Sequence, residues 1–161
     1  DIGMPDLNGI EATRQIVAEN PRARVVGLSM HGDRHYVVEM LRVGASGYLL
    51  KDSAPEELVE ALRIVMKGKT YLSPSIAHTV VEACRQPADP ASPSAFQLLT
   101  DREREVVQLL TEGLSAKEIG DKLSMSIKTV STHRQNIMDK LGVNSIAELT
   151  KYAIREGLTS L

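Results

Sequence analysis

The chain has 161 residues, of which 42% are hydrophobic, a formal net charge of −2 and one cysteine, Cys84. This length suits two small domains, a lone cysteine excludes an intramolecular disulfide framework and suits a reducing cytosol, and no apolar run approaches the roughly 18–20 residues that span a bilayer. The expectation is a cytoplasmic protein without a membrane partner, whose near-neutral charge gives no global sign of nucleic-acid binding.

In chain order, Gly9 to Asn20 is predicted as a helix with Ile10, Ile16 and Val17 on one face. Arg24 to Ser29 is a short apolar run of the kind found in a parallel strand covered on both sides. Tyr36 to Val43 reads as a helix through Val37, Met40 and Leu41, stopped by Gly44, and Gly47 to Leu50 as a second buried strand. Pro55 to Met66 is predicted helical, with Leu58, Leu62 and Val65 inward and Gly68 beyond its end. A further helix is expected over Pro74 to Cys84. Strand–helix alternation of this kind implies an α/β fold with a parallel sheet.

Arg85 to Gln97 carries three prolines and no apolar period, a composition that stays extended and solvated, so it is predicted as a linker. Residues 1–84 and 98–161 are then separate domains. In the second, Thr100 with Glu103 and Ser115 with Glu118 spell two capping boxes, Gly113 stops the first helix, and Leu123 closes the second. Ser126 is a good cap for a third helix ending at Leu141 and Gly142, and a fourth runs from Asn144 or Ser145 to Arg155. The tight Ser124-Met125-Ser126 connection between two short helices defines a helix-turn-helix inside an all-α four-helix domain.

The third helix separates into two faces. At 100° per residue, Ile137 and Leu141 fall within about 20° of Val130 and form a buried stripe. Lys128, Thr132, Gln135 and Asp139 lie opposite, with Ser131 on the flank. Gln can pair bidentately with adenine, Ser and Thr can bond bases or phosphates, and a Thr methyl can pack on thymine. Lys128, Arg134 and Lys140 form a small basic stripe for phosphates. His133 is expected to be a partly buried, hydrogen-bonded side chain and not a metal ligand.

Three stretches, Leu99-Thr100-Asp101-Arg102-Glu103-Arg104-Glu105-Val106, Gly113-Leu114-Ser115-Ala116-Lys117-Glu118-Ile119 and Lys128-Thr129-Val130-Ser131-Thr132-His133-Arg134, followed by Lys140-Leu141-Gly142-Val143, closely resemble the LuxR-type helix-turn-helix. The resemblance implies that the third helix enters the major groove with Lys128, Ser131, Thr132 and Gln135 facing DNA, and that Ile146, Leu149 and Ala153 lie on a fourth, pairing helix. Glu105, Gly113 and Ile119 correspond to positions that maintain the fold.

The first domain resembles a response-regulator receiver through Asp1-Ile2-Gly3-Met4-Pro5-Asp6-Leu7-Asn8-Gly9, Leu28-Ser29 and Gly47-Tyr48-Leu49-Leu50-Lys51. The whole chain resembles a NarL/FixJ-type regulator. By that resemblance Asp1 is the phosphoacceptor, Ser29 the hydroxyl that senses the phosphoryl group, Tyr48 the aromatic switch and Lys51 the phosphate-contacting lysine. A carboxylate nucleophile, a neutralising ammonium and a hydrogen-bonding hydroxyl are chemically coherent for phosphoryl transfer.

The resemblance begins on the acceptor aspartate, so the expectation is a truncated flavodoxin-like receiver, a remnant of the parallel sheet in a trimmed product. Magnesium wants six oxygens, and this chain would offer Asp1 and the Gly3 carbonyl, an incomplete site. Mg²⁺ is therefore expected with a full-length receiver and no cofactor with this chain, which is not expected to be phosphorylated efficiently alone. An unpaired edge on Arg24 to Ser29 and uncovered helix faces point to a homodimer or higher association.

The function expected is a DNA-binding transcriptional regulator of a two-component system, controlled in full-length form by phosphorylation of the receiver aspartate. Its partners would be inverted-repeat promoter DNA, a sensor histidine kinase and RNA polymerase. The alternative is an interaction module that contacts RNA polymerase or a partner regulator. No nucleotide cradle or nucleophile–base pair supports an enzyme.

Overall fold

The computed structural model describes residues 1–30, 32–53, 55–85, 95–156 and 158–159, apart from the side chains of Phe96 and Gln97. It divides into two compact units, one formed mainly by residues up to Ala88 and the other mainly by residues from Asp89.

In the first unit, three parallel strands lie in the order β1 (Val26–Ser29), β2 (Gly47–Leu50) and β3 (Tyr71–Leu72). The strand and helix alternation continues through α1 (Gly9–Glu19), α2 (Arg34–Arg42), α3 (Pro55–Met66) and α4 (Pro74–Arg85). Register sets Ser29 against Leu50, one residue before Lys51, whose amide donates to the Ser29 carbonyl at 2.8 Å. Strand β3 has no counterpart among the predicted elements. It is only two residues long, and Gly47 lets it approach: a Cβ there would stand 2.9 Å from the Tyr71 carbonyl oxygen.

As expected, no strand among the described residues pairs with the β1 edge away from β2, although one backbone hydrogen bond reaches it. Ile2, 2% exposed, donates its amide to the Leu28 carbonyl at 3.2 Å. Helix α1 then starts on this segment, capped by Asn8, whose side chain accepts from the Glu11 amide at 3.0 Å. Gly9 is required at that junction, because a Cβ would lie 2.1 Å from the Asp1 carbonyl oxygen.

The core of this unit gathers Ile2, Ile10, Val37, Met40, Tyr48, Leu49, Ala61, Val65 and Ile76, all nearly inaccessible. Helix α2 packs on α1 and α4, while α3 packs on β2 and β3. Two predicted inward residues are not inward: Ile16 is 45% exposed and Leu62 is 47% exposed. Periodicity marks an apolar arc, but only a neighbouring element can bury its full width. Gly44 and Gly68 end α2 and α3 with φ of +102° and +75°, as their positions predict.

The second unit holds α5 (Ala95–Leu98), α6 (Asp101–Thr111), α7 (Ala116–Leu123), α8 (Ile127–Leu141) and α9 (Ile146–Arg155). The predicted linker is thus shorter at both ends, since Arg85 closes α4 and Ala95 opens α5; its middle, residues 86–94, lies outside the described residues. Both capping boxes are formed, at Thr100 with Glu103 and at Ser115 with Glu118. Ser126 and Ser145 cap α8 and α9 by accepting from the Thr129 and Glu148 amides. Central α6 packs against α7, α8 and α9 and buries Val106, Val107, Leu109 and Leu110 among Ile119, Val130, Ile137 and Leu149. Among the described residues no helix is long and apolar enough to cross a membrane.

Candidate functional site

Two groups of side chains carry the chemistry, one in each unit. In the first, the ends of β1 and β2 bring Ser29 and Lys51 to the same rung of the sheet. Lys51 Nζ meets Asp1 Oδ2 at 2.5 Å, both side chains being more than one-third exposed. Ser29 is buried and hydrogen-bonds the hydroxyl of Tyr48, which is wholly buried on β2. Burial pushes the Tyr48 phenol up to about 12, with the Ser29 hydrogen bond acting against the rise and Tyr36 and Asp33 adding to it. Asp1, Ser29 and Lys51 therefore come together at one end of the sheet, and Tyr48 joins them through its hydrogen bond with Ser29.

Gly3 is exposed, two residues from Asp1. The described residues contain no group of three or more His, Cys, Asp or Glu able to hold a metal ion. One carboxylate already paired with Lys51, plus a neighbouring carbonyl, does not fit an ion that demands six oxygens in near-octahedral array.

In the second unit the helix-turn-helix turn is built on backbone geometry. Ser124 takes the left-handed conformation at φ +54°, and the Met125 amide returns to the Gly120 carbonyl at 2.8 Å. A Cβ on Gly120 would stand 2.7 Å from the Met125 carbonyl oxygen, so only glycine lets this corner close. Arg102 on α6 donates to the Leu123 carbonyl at the end of α7 and is held by Glu105 at 2.6 Å. Ile119 is wholly buried and Gly113 sits at φ +92°.

Helix α8 has the expected faces. Val130 and Ile137 are buried, Leu141 is half-buried, and Lys128, Ser131, Thr132, Gln135 and Asp139 are all exposed. The Ser131 and Thr132 hydroxyls each donate back to a carbonyl one turn earlier, Ile127 and Lys128, at 3.0 Å. Each hydroxyl oxygen keeps its acceptor lone pairs, and both residues are exposed. Gln135 Nε2 donates to Asp139 at 2.8 Å, so its amide is held along the helix surface.

Three further placements bear on the expectations for this unit. Lys140, in the expected basic stripe, is already ion-paired: its Nζ lies 2.8 and 2.7 Å from the two oxygens of buried Glu103. His133 is half-buried as expected, yet its Nδ1 is buried with no hydrogen-bond partner among the described residues. Ile146, Leu149 and Ala153 all lie on α9 as expected, and Leu149 and Ala153 are wholly buried within their own unit, where α9 packs on α6. Ile146 alone of the three keeps partial exposure, and Ala147, Glu148, Lys151 and Arg155 occupy the outer face. The Glu103–Lys140 clamp was not legible in the sequence, since its members are 37 residues apart.

Residues 1–63 match the response regulator receiver domain, and residues 97–153 match the bacterial regulatory proteins of the luxR family. The chain is 38% identical to the transcriptional regulatory protein DegU of Brevibacillus brevis over 98% of its own length and 72% of the relative's. It is 40% identical to the transcriptional regulatory protein MctR of Rhizobium johnstonii, over 99% of this chain and 72% of that one. Among solved structures, RcsB from Salmonella enterica serovar Typhimurium, bound to promoter rprA with the phosphomimetic BeF3-, matches with a TM-score of 0.55 at 27% identity, over 93% of this chain and 69% of that chain. The chain belongs to the response regulators that join a receiver to a LuxR-type DNA-binding domain, the NarL/FixJ type.

Proposed function

We propose that this regulator binds duplex promoter DNA by laying the outer face of α8 in the major groove. The observation that supports the reading is the segregation of that helix: Val130 and Ile137 fix it to the core, while Lys128, Ser131, Thr132 and Gln135 face outward together. Lys128, at the helix start, is placed for a phosphate or a guanine edge, and Gln135 for an adenine once it leaves Asp139. The similar RcsB structure, which is bound to a promoter, favours this reading over an interaction module. The domain bounds proposed are a receiver that ends with α4 at Arg85 and a DNA-binding domain that opens with α5 at Ala95.

In full-length form the receiver would accept a phosphoryl group on Asp1 from a sensor histidine kinase and respond through residues already adjacent. Lys51 offsets the added charge, and Ser29 turns its hydroxyl from Tyr48 toward the phosphoryl oxygens. Because the described donors do not fit magnesium, an acyl-phosphate donor is expected to label this chain poorly. Phosphorylation would favour a homodimer that spans two half-sites about one helical turn apart. Titration of an inverted-repeat promoter fragment at rising salt tests the DNA reading: affinity should fall steeply. Affinity that is flat with salt would refute it.

A further inference from the structure

Asp139 is the one acidic residue of α8, and it lies on the exposed face that carries Lys128, Thr132 and Gln135. At 100° per residue these four share an arc of about 60°. Set against a polyanion, such a charge costs affinity. Its chain neighbour Lys140 is engaged by Glu103, and among the described residues no ion pair reaches Asp139. The partner of Asp139 is instead the Gln135 amide, whose Nε2 donates to Oδ1 at 2.8 Å across one helical turn. A carboxylate only accepts, so the NH2 end of the amide must face it, and Oε1 is the arm left for another donor.

We propose that Asp139 is a specificity-determining residue: by holding the Gln135 amide it presents Oε1 to the major groove and selects a base with an exposed amino group, adenine or cytosine, over guanine or thymine. The inference rests on the DNA reading of α8 under the proposed function and names what fixes its chemistry at one position. In the major groove adenine offers its N6 amino group and cytosine its N4 amino group, whereas guanine and thymine offer acceptors. Oε1 can accept from either amino group with Gln135 still on Asp139. Adenine can in addition draw Nε2 to its N7 and take both arms of the amide. Guanine or thymine could be met only by Nε2, which then either leaves a charged acceptor for a neutral one or brings the carboxylate up against their acceptor edges. In water the Gln135–Asp139 pair is weak. Once DNA displaces that water, a carboxylate stripped of its donor is costly, and the preference is enforced there. A glutamine without this neighbour has no such bias, because its amide can turn either end toward the groove.

Selection of tight-binding duplexes from a randomised library with the intact chain tests it. The four base pairs are then titrated in turn at the position whose preference Gln135→Ala abolishes. The native chain should bind the adenine and cytosine duplexes about tenfold more tightly than the guanine and thymine duplexes. Asp139→Ala should bind all four more tightly and narrow that spread to within about threefold, and Asp139→Asn, which removes the same charge but no longer fixes one end of the amide, should narrow it likewise. Asp139→Glu, which keeps a carboxylate one turn from Gln135, should retain the spread. If the spread in Asp139→Ala equals that of the native chain, or if guanine or thymine is the favoured base, the inference falls while the DNA reading stands. It falls in the same way if no position loses its preference in Gln135→Ala. A chain that selects no sequence from the library removes both.

Discussion

Lys140, near the end of α8, closes on Glu103, in the first turn of α6, with its Nζ 2.8 and 2.7 Å from the two carboxylate oxygens. The same carboxylate accepts the Thr100 amide at 2.9 Å. Burial pushes the Glu103 carboxyl up, but the Lys140 and Thr100 hydrogen bonds outweigh it and hold it below the ordinary carboxylate range. A single group therefore caps one helix and moors another.

Removing either end should loosen the DNA-binding unit. Lys140→Ala leaves a buried carboxylate without its cation and is expected to cost about 1–2 kcal/mol, and Glu103→Ala about 2–3 kcal/mol because the cap is lost as well. Since the folded carboxyl value is lowered, its contribution is fully present above the unfolded value near pH 4.3 and disappears as pH falls through the folded value. Urea titrations at pH 7 and at pH 3 check both: the difference between native and Glu103→Gln should shrink at the acid end.

The turn between α7 and α8 makes an opposite pair of predictions. Gly120→Ala drives a Cβ into the Met125 carbonyl oxygen at 2.7 Å and should destabilise by about 1–3 kcal/mol. Ser124→Gly relieves a left-handed backbone at φ +54° and should stabilise by about 0.5 kcal/mol, after the added freedom of the unfolded chain is subtracted. Thermal unfolding of the two variants should shift in opposite directions.

Buried Ser29 and Tyr48 should behave as a unit. Ser29→Ala and Tyr48→Phe each orphan a hydroxyl and are expected to cost about 1–2 kcal/mol, but the double variant should cost less than the sum by about 1 kcal/mol. A double-mutant cycle in urea reads the coupling directly. Strict additivity would mean that the two hydroxyls do not depend on each other.

On the DNA face, Lys128→Ala should weaken promoter binding across sequences and lower the salt slope by about 1. Gln135→Ala should weaken binding mainly at the base it reads, by about 1–3 kcal/mol. Asp139→Ala should strengthen binding severalfold, because it removes a negative charge and frees the Gln135 amide that Asp139 now holds at 2.8 Å. Fluorescence anisotropy with a labelled promoter duplex distinguishes the three.

The DNA-binding domain was almost wholly legible in the sequence because its signals are local. Thr100 with Glu103, Ser115 with Glu118, and Gly142 each act within one turn of the residue they mark, and the observed helices begin and end there. What depended on distant partners was not legible. Strand β3 exists only through pairing with β2, Lys140 finds an acid 37 residues away, and the exposure of Ile16 and Leu62 depends on which elements happen to lie beside them. Leu149 and Ala153 show the same limit from the other side: an apolar stripe says that something covers it, and here that something is α6 of the same unit.

The Lys51 amide is bonded to the Ser29 carbonyl, while Lys51 holds Asp1 and Ser29 holds Tyr48. A displacement of either strand end is thus felt at both. Under the proposed phosphorylation of Asp1, the hydroxyl and the ammonium would answer together as one input, with a phenol sealed in the core as its far terminal.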